Sequence, residues 1–269
     1  MTAPAGKVYF VGAGPGDPEL LTIKGKRIIE QADVIIYADS LVNPEICRFA
    51  RPGAEIHGSS TLALEAIVGL MVDAVNQGKT VARVHTGDPS IYGAIREQIE
   101  HLDRQDIIYE IIPGVSSVFA AAASLGIELT APEVSQTVIL TRLEGRTPVP
   151  PKENLSSLAA HNSTMVLFLS VSMIDEVVTQ LLGGGYGADT PVAVVQRVGW
   201  QDERSLRGTV GDIGAKVREA GIQRQALILV GEALRKEGRV RNTGARSRLY
   251  DEEFAHGYRR SRKKNDASD

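Results

Sequence analysis

The chain has 269 residues, 43% of them hydrophobic, with 30 basic against 33 acidic side chains and a formal charge of -3. That length buries one large core or two modest ones, and the near-balanced charge excludes the global basic field that holds a nucleic-acid backbone. A single cysteine, Cys47, excludes an intrachain disulfide and a multi-cysteine metal site, and reads as a packing residue in a reducing compartment.

Met1 to Gly6 show no basic stretch leading into an apolar run, so no signal peptide is expected. The longest apolar stretches, such as Thr164 to Val171, fall far short of the ~20 residues that span a bilayer. A soluble, cytoplasmic protein is expected. In chain order, short β-branched runs alternate with helical patterns, which predicts an α/β domain with a largely parallel sheet. Strands are predicted at Lys7 to Val11, Val34 to Tyr37, Glu55 to His57, Thr80 to Val84 and Ile107 to Ile112. Leu62 to Gln77 carries Leu64, Ile67, Val68, Met71, Val72 and Val75 at helical spacing, with Gly78 placed to end it.

After a helix at Ser116 to Leu125, the turn-rich stretch Gly126 to Glu133 marks a domain boundary, giving domains at residues 1–130 and 131–240 and a charged tail at 241–269. Strands follow at Thr137 to Thr141, Met165 to Leu169, Val192 to Gln196, Arg204 to Gly208 and Ala226 to Val230. Helices are expected near Leu155 to His161, Met173 to Leu182 and Val210 to Ala220. Two successive strands flank Trp200 with no helix between them, so this half has a mixed sheet. The loop Gly145 to Asn154, with Pro148, Pro150 and Pro151, reads as a mobile excursion, and Arg259 to Asp269 as disordered.

The first strand runs directly into Gly12-Ala-Gly-Pro-Gly-Asp17, whose three glycines allow a sharp turn and close ligand approach. Dinucleotide binding is the first reading, with Asp33 about 20 residues on as the ribose partner. Its chemistry is unfavourable, because Pro15 deletes a backbone donor, Asp17 puts negative charge where a phosphate would sit, and the spacing is G-x-G-x-G rather than G-x-G-x-x-G. The run then continues through Thr22, a residue suited to cap a helix reaching to about Gln31.

Val11 to Thr22 resembles the first signature of the tetrapyrrole methylases. Val84-His-Thr-Gly-Asp-Pro-Ser-Ile-Tyr-Gly93 resembles the second, and Ile112-Pro-Gly-Val-Ser-Ser117 stands where a third is expected. The resemblance spans roughly residues 7 to 255. Tyr37 to Glu45, Gly199 to Glu203 and Arg248 to Tyr258 narrow it to the corrin-precursor branch, with another precorrin or a uroporphyrinogen-III C-methyltransferase as the runner-up. It implies two α/β domains of the class III methyltransferase type with a cofactor cleft between them, S-adenosylmethionine as methyl donor, a tetrapyrrole substrate and a homodimer.

By the same resemblance the cofactor touches Pro15, Gly87, Asp88, Ile91, Ser116 and Ser117, together with Leu169, Val198 and Ala226. Gly87, Asp88, Ser116 and Ser117 could equally be ordinary turn and cap residues. Asp39 is the leading candidate for base or proton-network member, and His85 is a second titratable candidate. Both also have plain structural readings, as a loop carboxylate and a core histidine. A substrate rich in carboxylates calls for local basic groups, for which Arg83, Arg96, Arg142 and Arg197 are the candidates, with Gly14 at the substrate side. Lys24, Lys26 and Arg27 read as the solvated face of the first helix. No histidine pair or cysteine cluster suggests a metal. A dinucleotide-dependent oxidoreductase and a non-catalytic tetrapyrrole-binding protein remain the alternatives from other classes.

Overall fold

The computed structural model describes residues 6–235, 254, 255, 257 and 258. The expectations for the N-terminal five residues, for most of the 241–269 tail and for the disorder of 259–269 lie outside the described residues. The chain divides into two compact units, one made of residues 1–126, 194–206 and 221–227, the other of 127–193, 207–220 and the chain from 228 onward.

The first sheet contains β1 (Val8–Gly12), β2 (Val34–Tyr37), β3 (Glu55–Gly58), β4 (Val81–His85) and β5 (Tyr109–Ile112) in the order β3-β2-β4-β1-β5. Every neighbouring pair is parallel. Parallel strands need crossovers, and here these are α1 (Ile23–Gln31), the 3-10 segment Pro44–Phe49, α2 (Leu64–Asn76) and α3 (Ile95–Asp103), while α4 (Ser117–Leu125) follows the last strand, β5. Thr22 caps α1 as expected, its hydroxyl accepting from Gly25 N at 3.1 Å.

Helices cover both faces of this sheet. On one, Val8, Phe10, Val34, Ile36 and Val81 pack with Ile67, Val68 and Met71 of α2 and Leu102 of α3. On the other, Val11, Ile35, Ala82 and Val84 pack with Ile28 and Ile29 of α1 and with Ile46. The apolar stripe predicted for α2 is therefore core, and the chain leaves the helix through Gly78 at φ 74°.

The second sheet contains β6 (Val138–Arg142), β7 (Thr164–Phe168), β8 (Pro191–Gln196), β9 (Arg204–Thr209) and β10 (Ala226–Val230) in the order β6-β7-β10-β8-β9. It is mixed, since β6 and β7 run parallel while β7 and β10 are antiparallel. The two strands flanking Trp200 are neighbours in it. Its helices are α5 (Leu155–Ala159), α6 (Ile174–Gly183) and α7 (Ile213–Glu219).

One detail corrects the sequence reading. Leu169 is not a strand residue: its φ of 54° turns the chain out of β7 and leaves it 64% exposed. The 145–154 loop contains a 3-10 turn at Pro151–Glu153. Arg142 ties it down by donating to the carbonyls of Thr147 (3.1 Å) and Pro148 (2.8 Å), acceptors that a proline-rich stretch leaves unpaired. No described helix is long and apolar enough to cross a membrane.

Candidate active site

The three glycine-bearing motifs lie side by side because they leave the C-terminal ends of adjacent parallel strands, the usual ligand edge of an α/β sheet. Gly12 at the end of β1 pairs with His85 at the end of β4, and Val11 pairs with Ile112 at the end of β5. Beyond the strands the loops stay locked. Gly14 and Gly87 form an antiparallel bridge, Gly87 N donating to Gly14 O at 2.7 Å and Gly14 N to Gly87 O at 3.3 Å. Both residues sit at positive φ, 77° and 60°, which a side chain would strain.

Gly114 closes the group. A Cβ there would strike Gly87 O and lie 2.8 Å from Gly12 Cα, so the three backbones pack with no room for a side chain. Asp88 ties the second loop to the third, its Oδ2 accepting from Gly114 N at 2.9 Å while Oδ1 accepts from Ser90. Burial works against ionisation of Asp88, but the Ser90 hydroxyl and the backbone N–H groups of Gly114 and Ser90 outweigh it and hold the carboxyl below its ordinary value. Ser116 caps α4, and Gly87 faces the Ser116–Ser117 backbone at van der Waals distance.

Of the predicted cofactor positions, Gly87 bridges to Gly14, Ser116 and Ser117 lie against Gly87, and Asp88 bonds Gly114. Pro15 is buried beside Gly199, Ile91 is half-buried in the second loop, Val198 is buried, and Ala226 is half-buried at the start of β10. Leu169 belongs to the other unit.

Asp39 is exposed just beyond β2. Its carboxylate accepts from Ser60 N (2.7 Å) and Ser60 Oγ (2.6 Å), and these bonds hold its pKa below the ordinary carboxylate value. Ser60 was not foreseen in the sequence, where nothing sets it apart from other loop serines.

The arginines are placed differently from one another. Arg83 is 5% exposed, donating from Nε to Gln98 Oε1 (3.1 Å) and from Nη1 to Ser59 Oγ (3.0 Å) and the Ile36 carbonyl (3.3 Å). A substrate carboxylate does not reach it there. Arg96 pairs with Glu100 one turn along α3, and Arg142 holds its own loop. Arg197 pairs with Asp202 at 2.7 Å.

His85 is likewise internal, on the α2–α3 face of the sheet with its ring 6.0 Å from that of Phe10. Among the described residues its buried Nε2 has no hydrogen-bonding partner. Burial, and next the charge of Arg83, push its pKa down to about 3, so the ring is neutral near pH 7 and ill placed to shuttle protons. The unfolded chain protonates this histidine near 6.5 and the folded one only near 3, so between those values the unfolded state binds more protons and stability falls as pH falls. From pH 7 to 4.5, His85→Phe is expected to lose about 2.5 kcal/mol less than the wild type, at about 1.4 kcal/mol per pH unit below 6.5. Urea titrations at the two pH values measure this, and equal losses would refute it.

The dinucleotide alternative loses its ribose partner. Asp33 accepts from Thr80 N at 2.7 Å and pairs with Arg51, which fixes it structurally. Asp17 caps the 3-10 turn Pro18–Leu20, accepting from Glu19 N at 2.8 Å, and α1 begins only at Ile23, so no helix N-terminus follows directly on the loop. Among the described residues no group of three or more His, Cys, Asp or Glu is placed to hold a metal.

The sequence model of the Tetrapyrrole (Corrin/Porphyrin) Methylases matches residues 7–214. A cobalt-precorrin-4 C(11)-methyltransferase from Methanocaldococcus jannaschii is 60% identical over 258 residues, covering 96% of this chain and 98% of that protein. Among solved structures, a cobalt-precorrin-4 methyltransferase, described as a cobalamin biosynthetic enzyme, superposes with a TM-score of 0.84 at 50% identity, covering 86% of this chain and 96% of the other. A uroporphyrin-III C-methyltransferase from Thermus thermophilus, solved with S-adenosylhomocysteine, gives a TM-score of 0.71 at 28% identity over 85% of this chain and 99% of the other.

Proposed function

The chain belongs to the tetrapyrrole (corrin/porphyrin) methylase family, and from that premise we infer that it is a precorrin-4 C11-methyltransferase of cobalamin biosynthesis. It uses S-adenosylmethionine and yields a precorrin-5 and S-adenosylhomocysteine. One observation in the structure carries the reading: three strand-end loops without a basic side chain are locked backbone to backbone through Gly14, Gly87 and Gly114.

Such a surface suits a cofactor that bears no phosphate. The carboxylates of Asp17 and Asp88 repel an anion, and Pro15 withholds a donor, whereas a sulfonium cation and neutral adenosine meet carbonyls and small residues without penalty. We assign cofactor contacts to Pro15, Gly87, Asp88, Ile91, Ser116 and Ser117, with Val198 and Ala226 as further candidates. Gly14 is assigned to the substrate side. The cofactor supplies an electrophilic methyl group, and the rigid loops hold the in-line geometry on which displacement at carbon depends.

Asp39 is the candidate proton acceptor. Its Ser60 bonds keep it ionised and therefore a weak base, which is sufficient because C-methylation leaves the macrocycle nitrogen electron-poor and acidic. The same reading carries a homodimer in the cytoplasm, by family resemblance.

Incubation with methyl-labelled S-adenosylmethionine and a panel of precorrins tests the assignment. Label is expected at C11 of precorrin-4, and label only at another ring carbon would overturn it. In the same assay Asp39→Asn is expected to lower kcat about 100-fold with S-adenosylhomocysteine affinity unchanged. An undiminished kcat would remove Asp39 from the proton path.

A further inference from the structure

The turn between β8 and β9 carries the only tryptophan of the chain, and its use is unexplained by the chemistry above. Trp200 belongs to the first compact unit, where its indole lies directly on Gly16 of the first loop. A Cβ at Gly16 would collide with Cδ1 of the ring and stand 2.5 Å from Nε1. The next residue back, Gly199, sits at φ 78°, and a Cβ there would come within 3.0 Å of Asp17 N and 3.4 Å of Pro15 Cγ. Backbone of the turn therefore rests on backbone of the loop, with the indole as a wedge between them.

The wedge is itself fixed from behind. The Arg197 guanidinium stacks on the indole, 3.9 Å from the ring centre, while Nε donates to Asp202 Oδ1 (2.7 Å) and Nη1 to Gln225 Oε1 (2.9 Å). Gln225 in turn donates to the carbonyl of Ser40 at 2.7 Å, next to Asp39. Asn43, at the far end of that segment, donates to the Gly16 carbonyl at 2.8 Å. Trp200, Gly16 and the 39–43 segment thus form a closed ring of contacts that joins the loop assigned to the cofactor with the one bearing the candidate base.

We propose that Trp200, backed by Arg197, is a positioning residue that sets the 14–17 loop and the Asp39 segment in register with each other, and that Gly16 is glycine in order to admit the indole. Arg197 then serves to hold the ring rather than to meet a substrate carboxylate. The proposal rests on the proposed function insofar as that reading puts both loops at the reaction centre. Substrate-bearing loops misplaced by about 1 Å can cost about 100-fold in rate.

The test is a double-mutant cycle on the purified full chain with precorrin-4 and S-adenosylmethionine, read as kcat and as calorimetric Kd for S-adenosylhomocysteine. Trp200→Ala and Gly16→Ala are each expected to lower kcat about 100-fold, and Trp200→Phe to restore most of it because a flat ring still fits over Gly16. Gly16 is not at positive φ, so once the indole is gone the added methyl has room: Gly16→Ala in the Trp200→Ala background should change kcat less than about twofold, where independent sites would multiply their effects. A merely structural tryptophan would lower the melting temperature and leave kcat of the folded protein intact, and that outcome, or multiplicative losses, would overturn the proposal. Tryptophan emission reads the contact without turnover. Gly16→Ala should shift it to the red, and an unchanged spectrum would refute the contact. If the wild type transfers no methyl to precorrin-4, the proposed function fails, and the emission result still decides whether Gly16 seats the indole.

Discussion

Gly14→Leu is expected to lower methyl transfer by at least about 100-fold while leaving the chain folded. The residue sits at φ 77°, where an L side chain costs roughly 1–2 kcal/mol, and its Cβ would stand 3.0 Å from the Leu20 carbonyl oxygen. The backbone must therefore move. Its movement breaks the bridge to Gly87 and with it the alignment of the first two loops. The strands lie beneath this bridge and keep their own hydrogen bonds, so the cost stays within the about 5–15 kcal/mol that a domain has in hand.

Gly78→Leu is the internal control for the cause. Its φ of 74° nearly equals that of Gly14, but an added Cβ meets nothing within 4 Å and the residue lies at the end of α2, away from the three loops. A loss in Gly14→Leu far larger than in Gly78→Leu, with similar circular dichroism and melting temperatures, assigns the effect to loop displacement. Retained turnover in Gly14→Leu would remove the first loop from the reaction centre.

Much of this arrangement is legible in the sequence because local chemistry fixes it. Strands buried on both faces show as runs of Val and Ile, α2 shows as a helical stripe, and each glycine motif directly follows a strand, which places all three at one edge of a parallel sheet. What stays hidden is set by distant parts of the chain. Nothing near residues 194–206 or 221–227 announces that they pack in the same unit as 1–126, so the Trp200–Gly16 contact is invisible until the fold is known. Arg83 and His85 are an intermediate case. They follow Val81 at every second position of β4, and a central parallel strand has no solvent face, so the period of two already places both inside. Closeness to the second motif alone suggests Arg83 as a substrate ligand, whereas its position on the central strand makes it a core residue.

Arg83→Ala should accordingly be among the most destabilising single changes in the first unit, at about 3–4 kcal/mol, combining the loss of a large buried side chain with unsatisfied acceptors left behind. The guanidinium supplies donors to Gln98, Ser59 and the Ile36 carbonyl, and thereby joins α3 to the ends of β2 and β3. No carboxylate touches it among the described residues. Burial lowers its pKa to about 10, the nearby charge of Asp39 opposing that fall, so it remains a cation at neutral pH. Because an unpaired buried cation is costly, Arg83→Met, which fills the space and removes the charge, is expected to lose only about 1 kcal/mol. Both variants also deprive Ser59 Oγ of its donor, leaving that residue its two bonds to the Tyr37 carbonyl, and are expected to loosen the neighbouring Ser60, which clamps Asp39. Turnover should therefore fall in Arg83→Met far more than its stability does. Urea denaturation together with kcat separates the two roles: a stability loss below about 1 kcal/mol in Arg83→Ala would refute the structural one, and an unchanged kcat in Arg83→Met would show that the Ser59–Ser60 turn holds Asp39 without help from the buried charge.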